Sequence, residues 1–424
     1  MGIAASLLLV LMALLNFLHV AIPSVPAWAS GICAWLALVL LFMALPWRAF
    51  TQFLVLAALG LLLLLWAGWQ GAVFSVPQWL QQNNSLLVML FSVSFLRLVA
   101  VPGQEVQTLP RGCWAYLQTL LGIHLLGAVI NLSIVVLVAG RYQAAGLLRR
   151  DTVALMGQAF AAAAFWSPFF AAMGVALTYA PGANLWAVMG YGAVFALLSI
   201  GVSLVLAGGW RLQRLADFPG YPMQLSSLLV PAVLAVSVLA LHALFPAVAV
   251  LALVSVGSVG LALLVLLLRD GRAGWPALRA HVLSSGTRMA RELSLFLGAG
   301  VLTVGLQAVL AQAGAIPFLD TFGGLEAAVL LAGAIGLSMI GVHPVISIAV
   351  LGPLLQPLQP DMTLVAVLFL AMWALGVVAS PFSGMNVMLR GQFGLSGRDL
   401  FAWNIHFVLV MWVVLAVVFY GVAG

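Results

Sequence analysis

Residues 341–352 read GVHPVISIAVLG, placing an imidazole and a proline inside what is otherwise an apolar run. A matching interruption, GAVINLSIVVLVAG, occupies 127–140. In a soluble chain either stretch would pass for an ordinary turn, but the surroundings exclude that. The chain is 65% hydrophobic and 6% charged over 424 residues, whereas soluble domains carry about a quarter charged residues. Apolar runs long enough to cross a hydrocarbon core recur from end to end. The chain therefore reads as an integral membrane protein, and both interruptions are breaks at membrane depth.

Hydropathy places spans near 3–22, 29–45, 51–69, 85–101, 150–180, 184–208, 224–245, 247–268, 291–313, 361–389 and 399–422. The segments 114–140 and 325–356 are the interrupted ones. The 15 basic residues are all arginine, and positively charged loops stay cytoplasmic. With the N-terminus inside, a crossing at 114–140 would put Arg141, Arg149, Arg150 and the cluster from Arg269 to Arg291 outside. A re-entrant hairpin entering and leaving on the inner side keeps all of them inside. A second hairpin, 325–356, entering from the outer side, leaves Asp320 and Asp361 outside and returns Arg390 and Arg398 to the cytoplasm. The expected fold is thus an all-α polytopic membrane protein with about eleven transmembrane helices plus two re-entrant hairpins. The pI near 10 follows from this arginine placement, and nucleic acid is not an expected partner. The apolar N-terminus lacks the positive n-region of a signal peptide and is read as a first membrane helix.

The two halves resemble each other. Ser167 follows Asn131 by 36 positions, and Ser380 follows Pro344 by the same 36, an offset of 213 between halves. FWSPFFAAMGVAL (165–177) and VASPFSGMNVML (378–389) share Ser-Pro-Phe with a methionine shortly after it. This divides the chain into an extra N-terminal helix (1–28) and two repeats. The first, 29–210, carries hairpin 114–140 and broken helix 150–180. The second, 211–424, carries hairpin 325–356 and broken helix 361–389. Because the hairpins enter from opposite faces, the repeats are inverted. A proline in a membrane helix is often only a tolerated kink, but paired breaks in inverted repeats are the pattern of secondary transporters. Irregular backbone at this depth needs protein or a water-filled cavity around it, and half-helix ends there bind ions with few charged side chains.

GLSMIGVHPVISIAVLGPLL (336–355) and ASPFSGMN (379–386) resemble the second hairpin and broken helix of the ion transporter superfamily, in particular its divalent anion/sodium symporters. They also look like the large membrane subunit of tripartite carboxylate transporters. The resemblance covers most of the chain as architecture, while its motifs are confined to these segments. It implies an elevator mechanism, in which hairpins and broken helices slide against a scaffold of the other helices, as a homodimer in a bacterial inner membrane. It implies a small organic anion as substrate and sodium as the coupling ion. Where the family carries Ser-Asn-Thr at each tip, this chain reads Asn131-Leu132-Ser133 and Val342-His343-Pro344, so proton coupling through His343 stands beside sodium.

The candidate substrate- or ion-binding residues are Asn131, Ser133, Ser167, His343, Ser347, Ser380, Ser383 and Asn386. Ser380, Ser383 and Asn386 would hydrogen-bond substrate or coordinate a cation, and Asn131 and His343 would close the site from the tips. Taken alone, His343 would more often be a packed core residue. No catalytic residue, metal ligand set or cofactor motif is expected. An enzyme on a lipid-linked substrate would need a cluster of acids and bases at one face, and none is visible. A subunit dependent on a soluble binding protein is the alternative reading.

Overall fold

A computed structural model describes residues 1–22, 24–99, 109–209, 212–221, 229–313 and 321–423. In chain order the helices are α1 (Gly2–Ala21), α2 (Ala27–Leu41), α3 (Trp47–Trp69), α4 (Val76–Gln81), α5 (Asn84–Val93), α6 (Cys113–Ile130), α7 (Ser133–Ala144), α8 (Arg150–Ala164) and α9 (Ala171–Tyr179). They continue as α10 (Leu185–Gly208), α11 (Leu229–Leu244), α12 (Val250–Asp270), α13 (Trp275–Ala313) and α14 (Gly324–Met339). The last four are α15 (Pro344–Leu355), α16 (Met362–Ala379), α17 (Gly384–Phe393) and α18 (Gly397–Ala423). Among the described residues no strand is present beyond one isolated bridge, Arg111 with Pro219.

The protein is all-helical and polytopic, and its described residues hold eight segments long and apolar enough to cross a membrane and three shorter apolar helices. The difference from the eleven expected spans lies in where the helices break and in how they join: 247–268 and 291–313 fall in one 63-residue segment, Val250–Gln312, while Cys113–Ile130, expected as a hairpin arm, is among the eight. Span 85–101 resolves into the ten-residue α5 and a 3-10 segment, Ser94–Leu98. Span 150–180 becomes two helices of 15 and 9 residues, each shorter than the ~20 residues a crossing needs. The segment 269–292, which reads as a linker with its own short surface helix, instead runs into the next span as the 39-residue α13. At 1.5 Å per residue α13 is about 58 Å long, well beyond a ~30 Å hydrocarbon core. Asp320 and residues 224–228 of the expected span 224–245 lie outside the described residues.

The chain forms two compact units. One comprises Met1–Val99, Val233–Phe318 and Ala349–Pro357; the other Ala100–Ala232, Leu319–Ile348 and Leu358–Gly424. These units do not follow the repeat boundaries expected from the sequence, since each takes segments from both halves of the chain. In the first unit, α3 and α13 run backbone to backbone: a Cβ on Gly60 would lie 2.5 Å from the Val301 carbonyl. Only glycine permits that approach. Ser6 on α1 ties to α13 by accepting from the Gly286 N–H at 2.9 Å.

In the second unit α16 is the centre. Every residue from Val365 to Ala379 is buried, as expected for a helix that is apolar on all sides. It packs against α8, α9, α10, α14 and α18. Phe195 on α10 meets Phe165 and Phe419 edge-on, at 5.8 and 5.6 Å between ring centres. The interrupted segments 114–140, 150–180 and 361–389 lie wholly in this unit, and α15 divides between units after Ile348.

Candidate functional site

All eight candidate residues fall in the second unit, at four helix interruptions. α6 ends at Ile130 and α7 starts at Ser133, with Asn131 at φ +55° between them. Asparagine tolerates this left-handed region better than most residues. α8 stops at Ala164 because Pro168 lacks an N–H and disfavours helical backbone at Ser167. α14 ends at Met339, Gly341 turns the chain at φ +104°, and Pro344 opens α15, the helix position proline prefers. Pro381 ends α16 in the same way as Pro168 ends α8.

Tip and break engage each other in both halves. In the first, the Ser167 hydroxyl donates to the Ala128 carbonyl and accepts from the Phe169 N–H at 3.2 Å. Asn131 Nδ2 donates to the Phe169 carbonyl at 3.4 Å. The α6 arm is further held by Trp166 Nε1 donating to His124 Nε2 at 3.1 Å. Ser133, half-buried, begins α7. In the second half the Phe382 ring covers Gly341, 3.0 Å from where its Cβ would be. Phe169 and Phe382 are the equivalent residues of the two Ser-Pro-Phe motifs, so one position contacts its tip through backbone and the other through its ring.

The second break holds the richer chemistry. Ser383 caps α17 by accepting from the Asn386 N–H at 3.3 Å. Ser380 Oγ accepts from the Phe382 N–H at 3.3 Å. Asn386 Nδ2 donates to the Ser380 carbonyl at 2.8 Å, which orients the amide and leaves Oδ1 as its free end. Asn386 is fully buried, and its Oδ1 has no partner; nor has the buried Ser347 Oγ. Buried polar atoms without partners are uncommon and costly. The half-buried His343 lies edge-on to Trp373, 5.3 Å between ring centres. Its Nδ1 accepts from the Val345 N–H at 3.2 Å, which puts the proton of the neutral ring on Nε2.

The contacts therefore collect Asn131 with Ser167, and Ser380 and Ser383 with Asn386. Among the described residues no hydrogen bond joins the two groups, although α7 packs on α17 and α9 on α16. No group of three or more His, Cys, Asp or Glu side chains is placed to hold a metal among the described residues.

Sequence reasoning missed a buried polar chain beside this region. Tyr116 on α6 bonds Ser203 on α10 at 2.7 Å. Ser203 donates to Gln158 Oε1 on α8 at 2.6 Å, and Gln158 Nε2 donates to Asn404 Oδ1 on α18 at 3.3 Å. Asn404 Nδ2 closes the chain on the Leu400 carbonyl at 3.0 Å. The chain reaches the second break through packing, since a Cβ on Gly157 would lie 3.3 Å from Met385 Cε. The available signal was an amide within an alanine-rich apolar run, a residue type that joins helices inside membranes.

No protein-family model and no curated protein matches the chain. Among solved structures it is similar to the Alcanivorax borkumensis YdaH transporter, whose topology is described as unusual. That similarity has a TM-score of 0.46 at 15% identity and covers 98% of each chain.

Proposed function

We propose that this protein is a secondary active transporter that moves a small organic anion by an elevator mechanism. The reading is carried by one observation. Two tip-and-break pairs gather in one compact unit, and one of them presents buried polar atoms that have no protein partner. Grouping of the interrupted helices apart from α1–α5 and α12–α13 supports a moving body distinct from a scaffold. The roles divide by what each side chain already does. Ser167 and Ser383 are engaged in holding the breaks and shape the site through backbone. Ser347 Oγ–H and His343 Nε2–H are donors suited to a carboxylate, assisted by the positive end of α17. Asn386 Oδ1 is an acceptor suited to a coupling cation or to a donor on the substrate. The coupling ion is sodium or a proton, the assembly a homodimer, and the location a bacterial inner membrane with the N-terminus cytoplasmic.

The test is a melting-temperature screen of the purified protein against small carboxylates, inorganic anions and neutral metabolites, with and without sodium and at two pH values. A ligand that binds the folded state raises the melting temperature by mass action. Stabilisation by a carboxylate, followed by its uptake into proteoliposomes, is the expected result. Stabilisation only by neutral compounds would remove the anion from the reading, and silence across the panel would remove transport of these classes.

A further inference from the structure

We infer that Arg97, Arg269 and Arg288 form a binding site for the phosphate of an anionic phospholipid headgroup, on the first compact unit and remote in sequence from the breaks. Three segments of that unit converge here. Arg97 sits in the 3-10 segment Ser94–Leu98 that follows α5. Arg269, at the end of α12, donates through Nη2 to the Leu98 carbonyl at 3.2 Å. His281, on α13, meets Ser94 Oγ at 3.0 Å. Two hydrogen bonds thus pin α12 and α13 to the turn that carries Arg97.

The polar groups between them are already committed. Ser94 Oγ donates to the Phe91 carbonyl at 2.6 Å, so it accepts from His281 Nε2–H. His281 Nδ1 then faces Arg288 Nη2 at 3.2 Å, and arginine can only donate. The buried imidazole is therefore neutral, an acceptor toward Arg288, and adds no positive charge. It works as a bracket: Arg288 is also held by the His281 carbonyl and by Ser284 Oγ, each at 2.7 Å. The guanidinium is exposed yet oriented. Arg97 is near enough for its charge to act on both His281 and Arg288.

This leaves a local excess of positive charge. Arg269 is paired with Asp270 at 2.8 Å, and Glu292 neighbours Arg291 and Arg97. Among the described residues, Arg97, Arg269, Arg288 and Arg291, all exposed, stand against these two carboxylates. Guanidinium groups brought together this way repel each other until an anion sits among them, and their fork geometry suits phosphate oxygens. The occupant is identified by what lies next to the arginines. Leu263, Leu264, Leu267 and Leu268 are all exposed on the last turns of α12, up to Arg269 itself. An apolar face ending in a cationic cluster matches a molecule with acyl chains and a phosphate head. Such basic pockets at the ends of membrane helices bind anionic headgroups.

The experiment uses the full-length protein in detergent, titrated with phosphatidylglycerol, with phosphatidylcholine, or with inorganic phosphate alone. Lipid retention is read by native mass spectrometry, and the melting temperature is followed in parallel. Phosphatidylglycerol is expected to be retained and stabilising, with little response to the other two. Arg97→Gln is the informative variant, because Arg97 makes no hydrogen bond or ion pair among the described residues, and Glu292, on which its charge acts, keeps Arg291 beside it. It is expected to weaken phosphatidylglycerol retention roughly tenfold, as loss of one charge-assisted hydrogen bond would, and Arg288→Gln by at least as much. Arg398→Gln, elsewhere on the surface, should leave retention unchanged. Equal retention by Arg97→Gln and the parent would overturn the assignment. So would an equal loss in Arg398→Gln, or a full response to inorganic phosphate.

Discussion

Gln158 donates to Asn404 Oδ1 at 3.3 Å across a separation of 246 residues, and this amide pair is the hydrogen bond that ties α8 to the last helix of the chain. Both side chains are buried. Gln158→Leu would take from the Ser203 hydroxyl its Gln158 acceptor and from Asn404 Oδ1 its donor. The expected cost is about 1–3 kcal/mol of stability, read by reversible unfolding in mixed micelles. Because the two residues share one bond, the double variant Gln158→Leu/Asn404→Leu should cost less than the sum of the singles. Strict additivity would mean that the bond is energetically idle.

Ser347 offers a cleaner separation of fold from function. Its buried hydroxyl has no partner, so Ser347→Ala removes an unsatisfied group. Stability in the absence of ligand should be unchanged or higher by about 1 kcal/mol. If the hydroxyl serves substrate, the affinity for a stabilising anion should nevertheless fall roughly tenfold. A variant that binds as well as the parent would strike Ser347 from the site.

Gly376 is where α16 lets the second tip approach. A Cβ there would stand 2.7 Å from both Pro344 Cγ and Ser338 Oγ. Gly376→Ala should therefore push α14 and the start of α15 away from α16 at a cost of about 1–3 kcal/mol. Ligand binding should weaken along with stability, in contrast to Ser347→Ala. Unaltered melting and binding would show that the tip is free to shift.

His343 separates the two couplings. In a proton-coupled transporter with His343 as carrier, uptake by the parent should vary as pH crosses the histidine range, and His343→Ala should flatten that profile. In a sodium-coupled one the variant should retain the parent's pH profile and sodium dependence. Proteoliposome uptake at a series of pH values, with the sodium gradient held fixed, distinguishes them.

Much of this arrangement was readable one residue at a time. The positions where helices stop, Ser167-Pro168, Ser380-Pro381 and Gly341 to Pro344, are dictated by groups that cannot continue a helix, and local chemistry of that kind needs no partner. Membrane character follows equally from composition, since an apolar chain with so few charges has no stable fold in water. How long each helix runs was less accessible. α13 continues through Arg288 and Arg291 because nothing in that stretch breaks a helix, although hydropathy alone suggests a boundary there.

What only tertiary structure decided is which polar atoms remain unspent. Ser167, Ser383 and Ser347 look alike in sequence, yet packing closes the first on Ala128, uses the second to cap α17 and leaves the third alone. Gln158 drew no notice in its alanine run until Asn404 and Ser203 were brought to either side of it. A hydrogen bond depends on a few tenths of an ångström and on direction, and neither is set until distant helices meet. The sequence by itself determined a polytopic helical protein with paired interruptions. The packing of α16 among its neighbours decided which of the interruptions has atoms left to offer a ligand.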